Sequence, residues 1–86
     1  MKLKEGVIIT EDNGEYIIVA AGEAGQSFSG MIRMNSTAGF ITSFFENEHT
    51  EEEAVDALCE NYDVDRETAA ANVKKVVESL KKVHLM

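Results

Sequence analysis

The side chains of this sequence that could do chemistry are few and lie far apart. Cys59 could act as a nucleophile, and His49 and His84 could bind a metal ion or transfer protons. A reactive thiolate needs a positively charged neighbour, whereas the residue after Cys59 is Glu60. The two histidines are not accompanied by the cysteine spacing of a zinc site. The sequence therefore predicts no catalytic residues and no metal site.

Two further patterns resemble ligand-binding sites but lack what such sites require. Glu51, Glu52 and Glu53 are consecutive, and consecutive helical residues point in different directions, so they do not converge on a cation. The glycine-rich segment 22–30 lacks the Lys-Ser/Thr pair of a phosphate-binding loop. We therefore expect a protein that is not an enzyme, uses no cofactor, and functions by binding.

Length and composition limit the class of protein. The chain has 86 residues, one cysteine and no proline, and 44% of its residues are hydrophobic. This length allows a single domain over residues 1–86, and one cysteine cannot form an internal disulfide. There is no apolar run long enough to span a membrane, and no apolar segment follows the first basic residues. We expect no membrane association and a cytoplasmic location.

The distribution of charge limits the class of partner that the protein can bind. The net charge is −8, and residues 46–67 contain ten acids and one base. Residues 68–86 contain four lysines and one acid. A duplex-binding domain needs a basic surface that neutralises several phosphates, so the overall charge argues against nucleic acid, although the last segment is basic. A protein or peptide partner is favoured.

The first half of the chain is predicted to form three antiparallel strands. Residues 7–10 and 15–20 are rich in β-branched side chains and flank Asn13-Gly14, the strongest short hairpin signal. A third run covers residues 28–34. Its alternation places Phe28, Ile32 and Met34 on a core face and Ser29, Met31 and Arg33 on the opposite face. This last strand should be an edge with unpaired backbone groups.

The second half is predicted to form three helices. Asn35, Thr50 and Asp65 are expected N-caps, and Glu53 completes a capping box with Thr50. Apolar residues recur at helical spacing after each cap, and the last helix should cover residues 66–83. Strands that are segregated from helices define an α+β fold, here three N-terminal antiparallel strands followed by three helices in a winged helix-turn-helix-like arrangement.

An exposed third strand beside the last helix would form a groove. An extended peptide could add a strand there, with affinity from main-chain hydrogen bonds and specificity from alternate side chains. The simpler alternative is that Met31 and Arg33 are ordinary edge-strand surface, with Arg33 as a charge that discourages aggregation.

Several segments in order resemble the PqqD-like family. Residues 34–41, MNSTAGFI, followed by Phe44 and Phe45, resemble the family's Leu-Asn-x-Thr-(Ala/Gly)-x-x-Ile-Trp-x-Leu-Leu run. Residues 50–55 and 62–68 resemble its Thr-x-Glu-Glu and Tyr-Asp-Val-Asp-x-Glu-x blocks. The sequence departs from the family at Thr42-Ser43, where an aromatic-polar step is usual, and at His84, where glycine is common.

The resemblance implies a role in the biosynthesis of ribosomally made, modified peptides. Members of the family bind the leader segment of a precursor peptide as a strand added to the third strand, against the third helix. They present it to a modifying enzyme, which is a radical S-adenosylmethionine protein in the namesake pathway and a protease or cyclase elsewhere. The expected partners are therefore a leader peptide and such an enzyme.

Carried over by position, the resemblance places the peptide backbone along Ser29, Gly30, Met31, Ile32 and Arg33. On the last helix, one edge of the apolar stripe carries Ala70, Lys74, Val77 and Lys81, and the other carries Val76 and Val83, with Val73 at the centre. The lysine-bearing edge is predicted to face the peptide, because Lys74 and Lys81 could pair with acidic leader residues. The alternative is that Val73 and Val77 belong to the core.

Two other functions stay open at the level of sequence. One is a regulatory winged-helix domain that contacts nucleic acid through the last helix, whose binding would weaken steeply with salt. The other is a structural homodimer formed by edge-to-edge pairing of the third strands, which would show a concentration-dependent size. Dimerisation could also coexist with peptide recognition by covering the same edge.

Overall fold

The chain folds into three strands followed by three helices, which confirms the predicted α+β class. The computed structural model describes residues 1–22, 25 and 30–86. The strands are β1 (Val7–Asp12), β2 (Glu15–Ala20) and β3 (Met31–Met34). The helices are α1 (Ser36–Phe44), α2 (Glu51–Asn61) and α3 (Arg66–Lys82).

The β1–β2 hairpin forms at the predicted turn. Asp12 pairs with Glu15, which leaves Asn13-Gly14 as a two-residue loop. Asn13 has φ +53° and Gly14 has φ +81°. Positive φ at both central residues is the geometry of a type I′ turn, whose twist matches that of the flanking strands, and Asn-Gly is the pair that tolerates it best. The local sequence therefore determines this hairpin.

The sheet has the order β1-β2-β3, all antiparallel, so β3 is an edge strand as predicted. In the described part of the chain it begins at Met31. Gly30 has φ +120°, a conformation that glycine adopts readily and that interrupts an extended strand. Phe28 and Ser29, which were predicted to lie in this strand, are outside the described residues.

All three predicted helix caps are present. The side chains of Asn35 and Asp65 each accept a hydrogen bond from the backbone N–H three residues on, at 2.8 and 2.7 Å. Thr50 accepts from the N–H of Glu53 at 3.1 Å, and the Glu53 carboxylate accepts from the N–H of Thr50 at 2.8 Å. This second bond holds the pKa of Glu53 below its ordinary value. The caps fix where each helix begins.

The helices bury one face of the sheet. Ile18 at the centre of β2 is fully buried, as are the largest core side chains of the helices and of the segments that follow them: Phe45, Ile41, Leu58, Leu80 and Leu85. β1 and β3 contribute partly buried side chains to the same core. None of the helices in the described part of the chain is long and apolar enough to cross a membrane.

A Schellman motif ends α3, with His84 at its left-handed position. His84 has φ +62°, its N–H donates to the carbonyl of Lys81 at 3.1 Å, and the N–H of Leu85 donates to the carbonyl of Leu80 at 2.9 Å. Leu80 and Leu85 are both fully buried, which supplies the apolar contact that accompanies this motif. The motif explains why glycine is favoured at position 84.

His84→Gly is expected to stabilise the protein by about 0.5–1 kcal/mol. Glycine removes the Cβ penalty of the left-handed conformation, and part of that gain is offset by its greater freedom in the unfolded chain. Urea unfolding measures the change. The matched control is Lys74→Gly, an exposed helical position that should lose about 1 kcal/mol. A loss of stability at position 84 as large as that at position 74 would contradict this explanation.

Candidate functional site

An open groove lies between β3 and α3. Its cavity volume is about 460 Å³. β3 and the cap residue contribute Ile32, Arg33, Met34 and Asn35; α1 contributes Thr37, Ala38 and Ile41; α3 contributes Asn72, Lys75, Val76 and Ser79. Ile41 is only 1% exposed and Val76 8%, so these two side chains form the apolar base of the groove.

The position of α1 under the groove depends on a close contact with β2. Gly39 is buried in α1, and a Cβ built on it would lie 2.0 Å from Cγ of Tyr16 and 2.6 Å from Cβ of Tyr16. Only a residue without a side chain allows the helix to approach the strand this closely. This approach sets Ala38 and Ile41 of α1 beside β3. Gly39 therefore shapes the groove without lining it.

Within residues 1–22, 25 and 30–86, no strand pairs with the outer edge of β3. The Asp12–Glu15 pair closes a two-residue hairpin, and the two residues of such a pair exchange backbone hydrogen bonds. This pair therefore fixes which residues of β2 hydrogen-bond to β1. Successive residues of β2 direct their backbone N–H and C=O groups alternately toward β1 and toward β3. Ile18 is one of those that face β3, where it pairs with Ile32. The alternate residues Met31 and Arg33 consequently direct their N–H and C=O groups away from β2. An incoming strand would pair with these two residues.

The sheet face opposite the helices carries a row of exposed apolar side chains, the outer row. Ile8 pairs with Val19, and Val19 pairs with Met31, so the three lie side by side on one face. Their exposed fractions are 52%, 37% and 60%, respectively. Met31, at the edge strand, is the most exposed of the three, so the outer row ends at the free edge of β3.

The residues predicted along the third strand are brought to this edge in part. Ile32 and Arg33 line the groove, and Met31 lies at the edge with its side chain on the outer row. Gly30 is exposed and precedes the strand. Ser29 lies outside the described residues.

The edge of α3 that lines the groove is not the edge that was predicted to face the peptide. Lys74 lies on the solvent side of the helix, in a shallow depression with Ala71, Glu78 and Lys82 that also reaches Lys75 and Ser79. Ala70 and Lys81 are exposed outside the groove. The edge that faces β3 carries Asn72, Lys75, Val76 and Ser79. Both edges flank the same apolar stripe, and the choice between them depends on the side of α3 on which the sheet lies.

Val73 and Val77 are core residues. They are 1% and 2% exposed and pack within the cluster that contains Ile18 and Leu58. Val76, which the sequence placed on the opposite edge, combines burial with access to the groove. Asn72, Lys75 and Ser79, which line the groove beside Val76, were not predicted from the sequence, because no local pattern in α3 distinguishes this edge.

The groove is locally basic within an acidic protein. Lys75 lines it from α3, Arg33 borders it from β3 with its side chain on the outer face of the sheet, and the described lining residues include no acid. Nη1 of Arg33 lies 3.6 Å from a carboxylate oxygen of Glu15, and both side chains are more than half exposed. Such an exposed pair contributes little to stability, so Arg33 can exchange this partner for another carboxylate.

The chemistry-bearing side chains lie away from the groove lining. Cys59 is half-buried and packs against the core, and the His49 ring stacks on Phe44 with centroids 4.0 Å apart. Nδ1 of His49 lies 3.5 Å from the Glu53 carboxylate. Within residues 1–22, 25 and 30–86, no three His, Cys, Asp or Glu side chains are grouped as metal ligands.

A small α+β domain with an open edge strand beside a helix-lined groove has the architecture used for strand addition. The family model described as coenzyme PQQ synthesis protein D (PqqD) matches residues 5–86. The chain therefore belongs to the PqqD family, as its sequence motifs indicated.

Two solved structures share the fold. One is TbiB1 in complex with the TbiA(beta) leader peptide, with a TM-score of 0.77 and 24% identity over 99% of this chain and 93% of that chain. The other is lasso peptide synthetase B1 complexed with the leader peptide, with a TM-score of 0.69 and 21% identity over 94% of this chain and 89% of that chain. Among curated proteins there is no significant match.

Proposed function

We propose that this protein is a non-catalytic recognition element that binds the leader segment of a ribosomally synthesised precursor peptide. The leader adds a fourth strand to β3 and places side chains in the groove toward α3. The observation that carries the proposal is the edge of Met31 and Arg33, which no described strand pairs with, beside an open groove. Family membership supports it, as do the leader peptides bound to TbiB1 and to lasso peptide synthetase B1.

In this binding mode, backbone groups supply affinity and side chains supply specificity. Pairing with Met31 and Arg33 gives affinity that is independent of the peptide's sequence, and each net hydrogen bond contributes about 0.5–1.5 kcal/mol. Alternate peptide side chains point to opposite faces, so one set enters the groove and the other extends the outer row. The apolar base at Ile41 and Val76 then selects among peptides.

Presentation to a modifying enzyme completes the proposed function. The bound leader leaves the rest of the precursor outside the groove, where a second protein acts on it. The classes of enzyme that fit are a radical S-adenosylmethionine protein, a protease or a cyclase. The setting is the cytoplasm, where precursor peptides are synthesised.

An amide-shift titration tests the binding mode. Isotope-labelled protein is titrated with synthetic leader segments of candidate precursor peptides. We expect shifts at Met31–Met34 and at the groove residues of α3, Asn72, Lys75, Val76 and Ser79. Shifts confined to the exposed side of α3 with duplex DNA, and none with any leader, would favour the nucleic-acid alternative instead.

Met31→Asp is expected to weaken leader binding about fivefold without unfolding the domain, because a cross-strand pair contributes up to about 1 kcal/mol. Calorimetric titration measures the affinity. The matched control is Ile8→Asp, which introduces the same charge at a similarly exposed position of the outer row but on β1, at the far edge. Equal leader affinities for the two variants would show that β3 is not the strand to which the leader binds.

A further inference from the structure

The free edge of β3 presents different chemistry at its two outward-directed residues. Met31 ends the apolar outer row, and Arg33, two residues further on, carries a positive charge on the same face. A strand added to this edge would place one side chain beside each of them, because directly opposite residues share a face. The side chain between those two would point to the groove.

We infer that the peptide accepted at β3 is an acidic, amphipathic segment with a defined three-residue pattern. An Asp or Glu lies opposite Arg33, a large apolar residue lies opposite Met31, and the residue between them is apolar and enters the groove. The pattern holds for either direction of the added strand, with its order reversed. This inference rests on the proposed function and specifies the class of peptide.

The apolar position opposite Met31 follows from exposure. Ile8, Val19 and Met31 form a continuous apolar row across three strands, and Met31 is 60% exposed. A large apolar side chain on a fourth strand would extend the row and cover Met31. Burial of apolar surface contributes about 25 cal/mol per Å², so this contact favours peptides that supply it.

The acidic position follows from charge. Arg33 already lies near the carboxylate of Glu15, its diagonal neighbour across the β2–β3 pair, which shows that the guanidinium is within reach of a cross-strand acid. Lys75, on the opposite wall of the groove, has no carboxylate within 4.0 Å among the described residues. Arg33 on the outer face and Lys75 on the groove wall are both basic, and the described lining of the groove includes no acid, which favours an acidic peptide over a basic one.

The apolar character of the peptide residue between these two positions follows from the apolar base of the groove. Ile32 faces the groove from β3, and Ile41 and Val76 lie beneath it. A cavity of about 460 Å³ accommodates an aliphatic or aromatic side chain. A polar side chain there would lose its hydration without a matching partner on this apolar surface.

A selection followed by a charge exchange tests the pattern. A phage-displayed library of random 12-residue peptides is selected on the wild-type protein and on Arg33→Glu. Binders of the wild type should be enriched in an acid two residues from a large apolar residue, with an apolar residue between. Replacing that acid by lysine in a synthetic binder should weaken its binding about fivefold. The Arg33→Glu variant should prefer the lysine peptide.

The control is Lys2→Glu, which changes the net charge equally at an exposed site outside the groove lining. It should keep the wild-type preference. Selected peptides that shift the amides of Met31–Met34 but lack the pattern would overturn this inference and leave strand addition intact. If no selected peptide and no leader segment shifts those amides, the proposed function fails and the inference fails with it.

Discussion

Phe45→Ala is expected to lower the free energy of unfolding by about 3–5 kcal/mol. The side chain is fully buried, and it packs in the cluster that joins the sheet to the helices. Its ring also lies edge-on to Phe44, with centroids 5.9 Å apart. Truncation removes this buried area and leaves a cavity that the surrounding core fills incompletely. A domain of this size has about 4–13 kcal/mol in total, so this single change removes a large share of the stability.

Phe44→Ala is the matched control, because it removes the same ring one residue earlier. Phe44 is partly buried and stacks on His49 near the surface. We expect this change to cost clearly less than the change at Phe45. Urea unfolding of both variants measures the difference. Equal losses at the two positions would show that Phe45 is not the anchor of the core.

Gly39→Ala is expected to destabilise the protein by up to about 2 kcal/mol, although alanine is the better helix former. The added methyl group would overlap the Tyr16 ring and approach Cβ of Tyr16 to 2.6 Å, which side-chain rotation alone cannot relieve. Overpacking of this kind costs about 1–3 kcal/mol, and the helix propensity of alanine recovers about 1 kcal/mol. Thermal or urea unfolding measures the net effect.

The same change should reverse sign when Tyr16 is truncated. In the Tyr16→Gly background the three atoms nearest to the added methyl group, including Cβ of Tyr16, are absent, so Gly39→Ala should stabilise by up to about 1 kcal/mol through helix propensity alone. A double-mutant cycle over the two positions gives the coupling energy directly. Destabilisation of equal size in both backgrounds would mean that the close approach of α1 to β2 is not what position 39 requires.

Local sequence signals determined the elements of this fold. Asn13-Gly14 determined the first hairpin because few other pairs accept positive φ at both positions. Asn35, Thr50 and Asp65 determined the helix starts because each side chain satisfies a nearby backbone N–H. These interactions span only a few residues, so they can be read from the sequence before the tertiary structure is known.

The alternation along the third strand was equally informative about its faces. Met31 and Arg33 are exposed, and Ile32 and Met34 contact the core. The start of the strand was not determined in the same way. A glycine at position 30 is compatible with an extended strand or with the φ of +120° that it adopts, and its own residue type does not decide between them.

Only the tertiary structure decided which edge of α3 faces the groove. The apolar stripe of α3 fixes the side buried against the core, and Val73 and Val77 lie at its centre. The Lys74 edge and the Val76 edge flank that stripe symmetrically, so the helical periodicity of the sequence does not distinguish one edge from the other. The choice is made by the way the sheet and α1 pack against α3, which places Ile32, Ala38 and Val76 around one groove. That packing joins residues distant in sequence, and no local pattern in α3 encodes it.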